Sequence, residues 1–182
     1  KSLALTLSTS PGNPDVYVMS LATKQLRRIT SSDAIDTEPV WSPDGANLYF
    51  TSDRGGTPQI YKVPSQGGDP QRVTFDGSYN ANPRISPDGR TLAFVHRESG
   101  DLHIAVMDLV SGTLQVLTDG ILDKSPSFAP NGSMIIFEAD YRDRGVLSEV
   151  SVDGQVRERL SERTNGVDVH APVWGPFLAT GQ

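Results

Sequence analysis

Three histidines and a few paired acids are the side chains of this chain that could do chemistry. His96, His103 and His170 could ligate a metal or carry a proton, but none belongs to an HExxH segment or to another spacing typical of metal ligands. The chain has no cysteine, so it cannot form thiolate metal sites, disulfides or a cysteine nucleophile. We therefore predict no catalytic metal and interpret the histidines as surface or strand residues.

The acids Asp36 and Glu38 lie close together in a polar stretch and could act as a general acid and base. Glycosidases use two carboxylates in this way, held at a defined separation in a sugar-binding trough. Two acids in one short segment do not supply that arrangement. We therefore favour a solvated loop here and predict no catalytic residue.

Composition excludes two classes of function. A formal net charge of −6 and an isoelectric point near 5.0 argue against nucleic acid as the main partner, because phosphate binding needs a concentrated basic face. No stretch approaches the roughly 18 apolar residues of a membrane span, so direct membrane insertion is not expected. The 17 glycines and 13 prolines indicate many turns.

An internal repeat organises these turns. Four segments align: PVWSPDG from Pro39, PRISPDG from Pro83, PSFAPNG from Pro126 and PVWGPF from Pro172. Their starts lie 44, 43 and 46 residues apart, a period typical of propellers and solenoids.

The register of the repeat extends beyond these segments. An apolar residue follows the leading proline by two positions, a second proline by four, and in complete copies a phenylalanine by eleven. These residues are Trp41, Ile85, Phe128 and Trp174; Pro43, Pro87, Pro130 and Pro176; and Phe50, Phe94 and Phe137. Each copy ends on an apolar residue and a hydroxyl, at Val73 and Thr74, Leu117 and Thr118, and Leu160 and Ser161.

Within one unit we predict four short strands, at about 38–41, 47–52, 59–64 and 70–75. Ser-Pro-Asp-Gly is a type I turn sequence, since proline presets φ at its second position and glycine suits its fourth. It differs from the Asp box of sialidases, in which one residue separates the aspartate from the glycine. The pair Gly67 and Gly68 predicts a tight hairpin before the last strand.

Four-stranded units of this length are typical of propeller blades. We predict an all-β fold, a β-propeller of four-stranded antiparallel blades in a partial ring of about four blades' worth. Trp41, Ile85, Phe128 and the three repeated phenylalanines are expected to pack between its blades. Its parts are a partial blade at 1–36, blades at 37–80, 81–123 and 124–169, a closing strand at 170–177 and a tail at 178–182. The closing strand would complete the blade that begins at the N-terminus. A solenoid is the alternative architecture.

The repeats resemble the PD40-type repeat of the TolB family. The likeness runs along the whole chain and includes TEPVWSPDG from Thr37, TSDRGGTPQIYKV from Thr51 and HIAVMDLVSGTLQVLTDG from His103. It implies the later blades of a larger propeller that follows an α/β domain. It further implies a non-catalytic periplasmic protein of the Tol–Pal system that supports outer-membrane integrity and cell division. The partners implied are the peptidoglycan-associated lipoprotein Pal, TolA and colicins.

The alternative function is the propeller domain of a prolyl oligopeptidase-type serine hydrolase, since those enzymes carry similar repeats. Their chemistry needs a nucleophile elbow of the GxSxG kind, and no such segment occurs here. This chain would then lack the catalytic domain of such an enzyme.

Connectivity predicts where the binding surface lies. The SPDG and glycine-pair hairpins fall at one end of every blade, and the crossings into each inner strand fall at the other. These crossings are mostly polar and differ between blades, as binding residues on a rigid scaffold do. The predicted protein-binding residues are Asp36, Thr37, Glu38, Asn80, Asn82, Asp123, Lys124, Ser125 and His170. In the family the segment TEP flanks the channel on the Pal-binding face, so the resemblance supports Thr37 and Glu38 most directly.

No cofactor is predicted. Acidic loops around a propeller channel could nevertheless hold a hard cation such as Ca²⁺ through oxygen ligands. This stays open as a minor alternative.

Overall fold

The computed structural model describes residues 1–9, 12–142, 144–160 and 168–175 of the chain. Within these ranges it contains fifteen β-strands and no helix, and so no helix that could cross a membrane. The strands are β1 (Ser2–Ser8), β2 (Pro14–Ser20), β3 (Leu26–Arg28), β4 (Asp36–Trp41), β5 (Asn47–Ser52), β6 (Gln59–Pro64), β7 (Gln71–Arg72), β8 (Tyr79–Ile85), β9 (Thr91–Arg97), β10 (His103–Asp108), β11 (Leu114–Val116), β12 (Lys124–Phe128), β13 (Met134–Asp140), β14 (Gly145–Ser151) and β15 (Arg157–Arg159).

The strands form four antiparallel sheets, which correspond to the predicted blades. The first blade has the order β1-β2-β3, and the other three have the orders β4-β5-β6-β7, β8-β9-β10-β11 and β12-β13-β14-β15. β4 contacts β8, and β8 contacts β12, so the first strand of each complete blade is its inner strand. The predicted all-β propeller of antiparallel blades is confirmed, and its sheets form an unclosed series.

The outer strand of the second blade is shorter than predicted. In the second blade the expected strand at 70–75 is only Gln71–Arg72. Beyond it, the N–H of Ile60 donates to the hydroxyl of Thr74 at 2.9 Å in place of a backbone carbonyl. The N–H groups of Val16 and Ile104 make the same bond to Thr30 and Thr118, at 3.0 and 2.9 Å. The hydroxyl that ends these copies therefore ends the outer strand.

The SPDG segments form the predicted turns. The Gly45 N–H donates to the Ser42 carbonyl at 2.9 Å, and the Ser42 hydroxyl donates to the Asp44 carboxylate at 2.6 Å. The N–H of Ser65, in the glycine-pair hairpin, donates to the Ala46 carbonyl at 2.8 Å. Both hairpins therefore lie at the same end of the blade, as predicted.

Three apolar clusters hold the blades together, one at each junction between adjacent blades. Phe50 lies in the cluster of the first and second blades, Phe94 in that of the second and third, and Phe137 in that of the third and fourth. All three phenylalanines are 0% exposed, which confirms their predicted place between blades. The other predicted packing residues are partly buried against the same clusters; they are Trp41, Ile85 and Phe128.

The predicted closure of the ring is not formed by the described residues. β1 pairs only with β2, and the segment 168–175 lies along the fourth blade. The N–H of Trp174 donates to the hydroxyl of Ser127 at 3.1 Å, so this segment occupies the place of an inner strand for a further blade. The rest of the predicted closing strand, the tail at 178–182, and Ser161 lie outside the described residues.

We expect Phe94→Ala to lower the free energy of unfolding by about 3–5 kcal/mol, because it removes a fully buried ring between two blades. Phe75→Ala is the matched control, since Phe75 is 69% exposed and should cost less than about 0.5 kcal/mol. Urea denaturation measures both. Equal losses in the two variants would contradict this description of the core.

Candidate functional site

The predicted binding residues lie in three-residue segments that precede the inner-strand prolines. These segments, named here the crossing triplets, are 36–38, 80–82, 123–125 and 169–171. In the three complete blades they belong to the start of the inner strand or directly precede it, and do not form free loops. The three positions of a triplet have different roles.

The first position of the triplet is buried. Asp36, Asn80 and Asp123 are each 0% exposed, so the solvated loop favoured at Asp36 is wrong, and the binding role predicted for these three residues stays a prediction. Backbone hydrogen bonds hold two of these residues in place. The N–H groups of Asn80 and Asp123 donate to the carbonyls of Pro58 and Leu102 in the preceding blade, at 2.9 and 2.8 Å. The first residue of the triplet therefore anchors one blade to the next.

The third position of the triplet has a left-handed backbone. The φ angles are 57° for Glu38, 56° for Asn82, 57° for Ser125 and 45° for Ala171. A residue before proline is ordinarily extended, so this conformation is strained in every copy. It coincides with a shift of register between the inner strand and its neighbour in each complete blade, which is a β-bulge.

The carboxylate of Glu38 connects the second and third blades. It accepts hydrogen bonds from the Thr51 hydroxyl at 2.7 Å, from the Asn82 N–H at 2.8 Å and from the Asn82 side-chain amide at 2.9 Å. The Glu38 N–H in turn donates to the Thr6 hydroxyl of the first blade at 3.2 Å. Glu38 and Asn82, both predicted site residues, are therefore brought together as a link between blades.

Glu138 makes the equivalent link at the fourth blade, and the sequence analysis missed it. Its carboxylate accepts from the Ala171 N–H at 3.1 Å and pairs with Lys124 and His170 at 3.1 and 3.0 Å. Burial raises the pKa of Glu138, but these hydrogen bonds and the Lys124 charge outweigh burial and hold the pKa below its ordinary value. The repeat could have indicated Glu138. It directly follows the repeated phenylalanine, as does Thr51, which bonds to Glu38 in the second blade.

The second position of the triplet faces two grooves on this end of the blades. One groove, of about 180 Å³, lies where the second and third blades meet and is lined by Ile35, Thr37, Glu38, Thr51, Asp53, Pro58 and Tyr79. The other, of about 150 Å³, lies at the equivalent place beyond the fourth blade and is lined by Leu122, Lys124, Glu138, Asp140, Gly145, Asp168 and His170. At the equivalent place between the third and fourth blades, Leu102 and Leu122 pair through an isolated parallel β-bridge.

The surface formed by the crossing triplets and the two grooves is named here the crossing face. It combines exposed charged side chains with a fixed backbone. The side chain of Lys124 is 42% exposed and that of His170 is 69% exposed, whereas Ala81 at the same position of the third blade is buried. Carboxylates are the main charges of both grooves. The arrangement offers hydrogen-bond acceptors and a few cations to a partner.

The described residues contain no group of three or more His, Asp or Glu side chains that could hold a metal ion. The Ca²⁺ alternative was not tested and stays a prediction. His96 and His103 lie in strands β9 and β10, as interpreted from the sequence, and His96 bonds through Nδ1 to the Asn80 amide oxygen at 2.8 Å.

Comparison with protein families gives one match along the chain. Residues 1–178 match the family model described as PD40, TolB beta propeller domain. The chain is 50% identical over 163 residues to the "Tol-Pal system protein TolB" of Bordetella pertussis (strain Tohama I). That alignment covers 89% of this chain and 37% of the relative, so the chain spans well under half of the relative's length.

Solved structures show the same likeness. The crystal structure of TolB from Acinetobacter baumannii superposes with a TM-score of 0.88 at 44% identity, covering 97% of this chain and 44% of that chain. The structure of putative TolB from Agrobacterium tumefaciens superposes with a TM-score of 0.76 at 28% identity, covering 87% of this chain and 58% of that one.

We expect Glu138→Gln to lower the free energy of unfolding at neutral pH by about 1–2 kcal/mol, because it weakens charge-assisted hydrogen bonds between the fourth blade and the segment 168–175. The folded pKa of Glu138 is lowered, so its stabilising effect is full above the ordinary value of 4.5 and is lost as the pH falls through the lowered pKa. The difference between the two proteins should therefore shrink in acid. Denaturation at a series of pH values measures it.

Glu149→Gln is the matched control on the partner strand β14, because Glu149 has no ion pair within the described ranges. It should change stability by less than about 0.5 kcal/mol at every pH. A pH-independent loss in Glu138→Gln would contradict an ionised link.

Proposed function

This chain belongs to the TolB β-propeller family of the Tol–Pal system, and on that premise we propose that it is part of a non-catalytic, periplasmic protein-binding propeller. Its partner in this proposal is the lipoprotein Pal, which docks on the crossing face. TolA and colicins are the further partners that the family implies. The biological role proposed is support of outer-membrane integrity and cell division.

The observation that carries this proposal is the contrast between constant and variable positions of the repeat. The clusters between blades use the same apolar positions in each copy, such as Phe50, Phe94 and Phe137. The second triplet position, in contrast, carries threonine, alanine, lysine and histidine in the four copies. A rigid scaffold whose residues at one end of the blades differ between copies is suited to recognition of one specific surface.

The geometry of the crossing face supports binding more than catalysis. Glu38 and Asn82 are held by hydrogen bonds to each other, so they position the surface and are not free to exchange protons with a substrate. The grooves of about 150 and 180 Å³ are smaller than the clefts of about 300–1,000 Å³ that usually bind small molecules. They are of a size to receive single side chains of a protein partner.

We expect the pair Thr37→Lys and His170→Arg, in the full-length protein that contains this chain, to weaken Pal binding by at least about tenfold. Each change places a bulky charge in a groove, where a docked partner would have to desolvate it. Glu38 is left unchanged, because its removal would break the link between blades as well. Isothermal titration calorimetry with purified Pal measures the effect.

Asp44→Lys and Asp88→Lys form the control pair, since both residues lie in SPDG turns at the opposite end of the blades. They should leave Pal affinity within about twofold. Equal losses in the two pairs would contradict this placement of the site. Turnover of a peptide or glycan that disappears in the first pair alone would contradict the non-catalytic proposal.

A further inference from the structure

The segment 75–79 connects the outer strand of the second blade to the inner strand of the third, and two buried amides hold it in place. The side-chain amide of Asn80 donates to the Asp76 carbonyl at 2.7 Å, and that of Gln59 donates to the Gly77 carbonyl at 3.3 Å. Asn80 is 0% exposed and Gln59 is 1% exposed. The position of this connecting segment therefore depends on polar groups that lie inside the junction between the two blades.

His96 completes this buried network, and the network fixes its protonation. The imidazole is 2% exposed, and its Nδ1 lies 2.8 Å from the Asn80 amide oxygen. The Asn80 amide has one orientation, because its nitrogen donates both to the Asp76 carbonyl and to the Gln59 amide oxygen, at 2.7 and 2.8 Å. The Asn80 oxygen can only accept, so Nδ1 of His96 carries a proton and donates it. In the neutral ring this leaves Nε2 without a proton.

The ring of His96 is closely packed. A Cβ on Gly77 would lie 2.5 Å from Cε1 of the imidazole, the carbon between its two nitrogens. The ring of Phe94 meets the imidazole edge to face, with the two centroids 6.1 Å apart. A second proton on the imidazole would place a positive charge where little water can solvate it. Protonation of His96 is therefore costly in the folded protein.

The titratable groups that act on His96 do not act in the same direction. The carboxylates of Glu98 and Asp76 favour the charged imidazole, whereas His103, directly opposite in β10, disfavours it. Burial is the largest effect, and it holds the pKa of His96 below its ordinary value of 6.5. The contribution of the neutral ring to stability is therefore full above pH 6.5 and is lost as the pH falls from 6.5 toward the lower folded pKa.

The histidine is specific to the third blade. Ser52 and Ala139 stand two residues after the repeated phenylalanine in the second and fourth blades, as His96 does in the third. Neither a serine nor an alanine side chain titrates near neutral pH. An effect of mild acid at this position is therefore confined to the junction of the second and third blades.

We propose that His96 is a pH-sensitive switch that holds the segment 75–79 in place at neutral pH and releases it in mild acid. The imidazolium moves away from Gly77 toward water, and the Asn80 amide then loses the partner that orients it. Tyr79, at the end of the segment, lines the groove of about 180 Å³ on the crossing face. The release therefore changes the shape of that face, whichever partner binds there.

The first test is an NMR titration of the imidazole groups in the full-length protein that contains this chain, labelled with ¹⁵N-histidine. The signals of His96 are those that are absent from His96→Gln. We expect these signals to report a proton on Nδ1 in the neutral ring and a pKa below 6.5. A neutral ring protonated on Nε2, or a pKa of 6.5 or higher, would overturn the proposal.

The second test is hydrogen exchange followed by mass spectrometry, corrected for the intrinsic effect of pH on exchange. The N–H groups of Ser78 and Asn80 donate to the carbonyls of Arg97 and Pro58. We expect their protection in the unaltered protein to fall at least about fivefold between about pH 7.5 and about pH 5. The N–H of Ser65, at the opposite end of the second blade, is the internal control and should change less than about twofold. Equal changes at the two ends would show that acid weakens the whole blade and that no local switch exists.

His96→Gln separates titration from hydrogen bonding, because the glutamine amide offers an N–H to Asn80 and does not titrate. Protection of the segment 75–79 should then agree within about twofold at the two pH values. His103→Gln is the matched control, since it removes the opposite histidine and should keep the acid-induced loss of protection. A loss that persists in His96→Gln, or that disappears in His103→Gln, would contradict the assignment of the switch to His96.

Discussion

The left-handed residue before each inner-strand proline is the constraint on which the blade arrangement depends. Such a backbone costs of the order of 1–3 kcal/mol for a residue other than glycine, and it persists only where the surroundings fix it. Here a side chain of the preceding blade fixes it in three of the four copies, through Thr6, through Thr51 with Glu38, and through Glu138. With this bulge the first residue of the triplet is buried in the complete blades, and the N–H of the third residue bonds to the previous blade in three copies. The same β-bulge therefore anchors each blade to its neighbour and positions the residues of the crossing face.

Two kinds of contact join the blades: the apolar clusters and the buried polar residues at the first triplet position. They tolerate substitution differently. Phe50, Phe94 and Phe137 fill closely packed spaces, so the repeat keeps the same ring at each place. A buried polar residue requires only that its hydrogen bonds be completed, and several partners can do this. Asp36 pairs with Arg54, Asn80 bonds to His96 and Gln59, and Asp123 accepts from the Gly120 N–H and lies 3.8 Å from Arg157. The residue type and its partners therefore differ between blades at this buried polar position, whereas the phenylalanine does not.

The repeat predicted the fold well, because turn chemistry and strand alternation are local properties. The second and third strands of the second blade are observed where they were predicted, at Asn47–Ser52 and Gln59–Pro64. The burial of Asp36 and Asp123 was not predictable in the same way, since a bulge inserts one residue and reverses the alternation on which inside and outside are assigned. Glu138 and Arg54 were missed because their partners lie in other strands.

Among the residues that the structure describes, each apolar cluster joins two adjacent blades, and none extends over three. An array of this kind behaves as a one-dimensional cooperative system, in which the stability of a unit is its own contribution plus that of its immediate contacts. In this chain the second and third blades each have two such clusters, and the first and fourth each have one. Transient opening should therefore begin in the outermost sheets and move inward, so the amide protons of β5 and β9 should exchange with solvent more slowly than those of β1. The same arrangement lets a disturbance in one blade be contained by its neighbours.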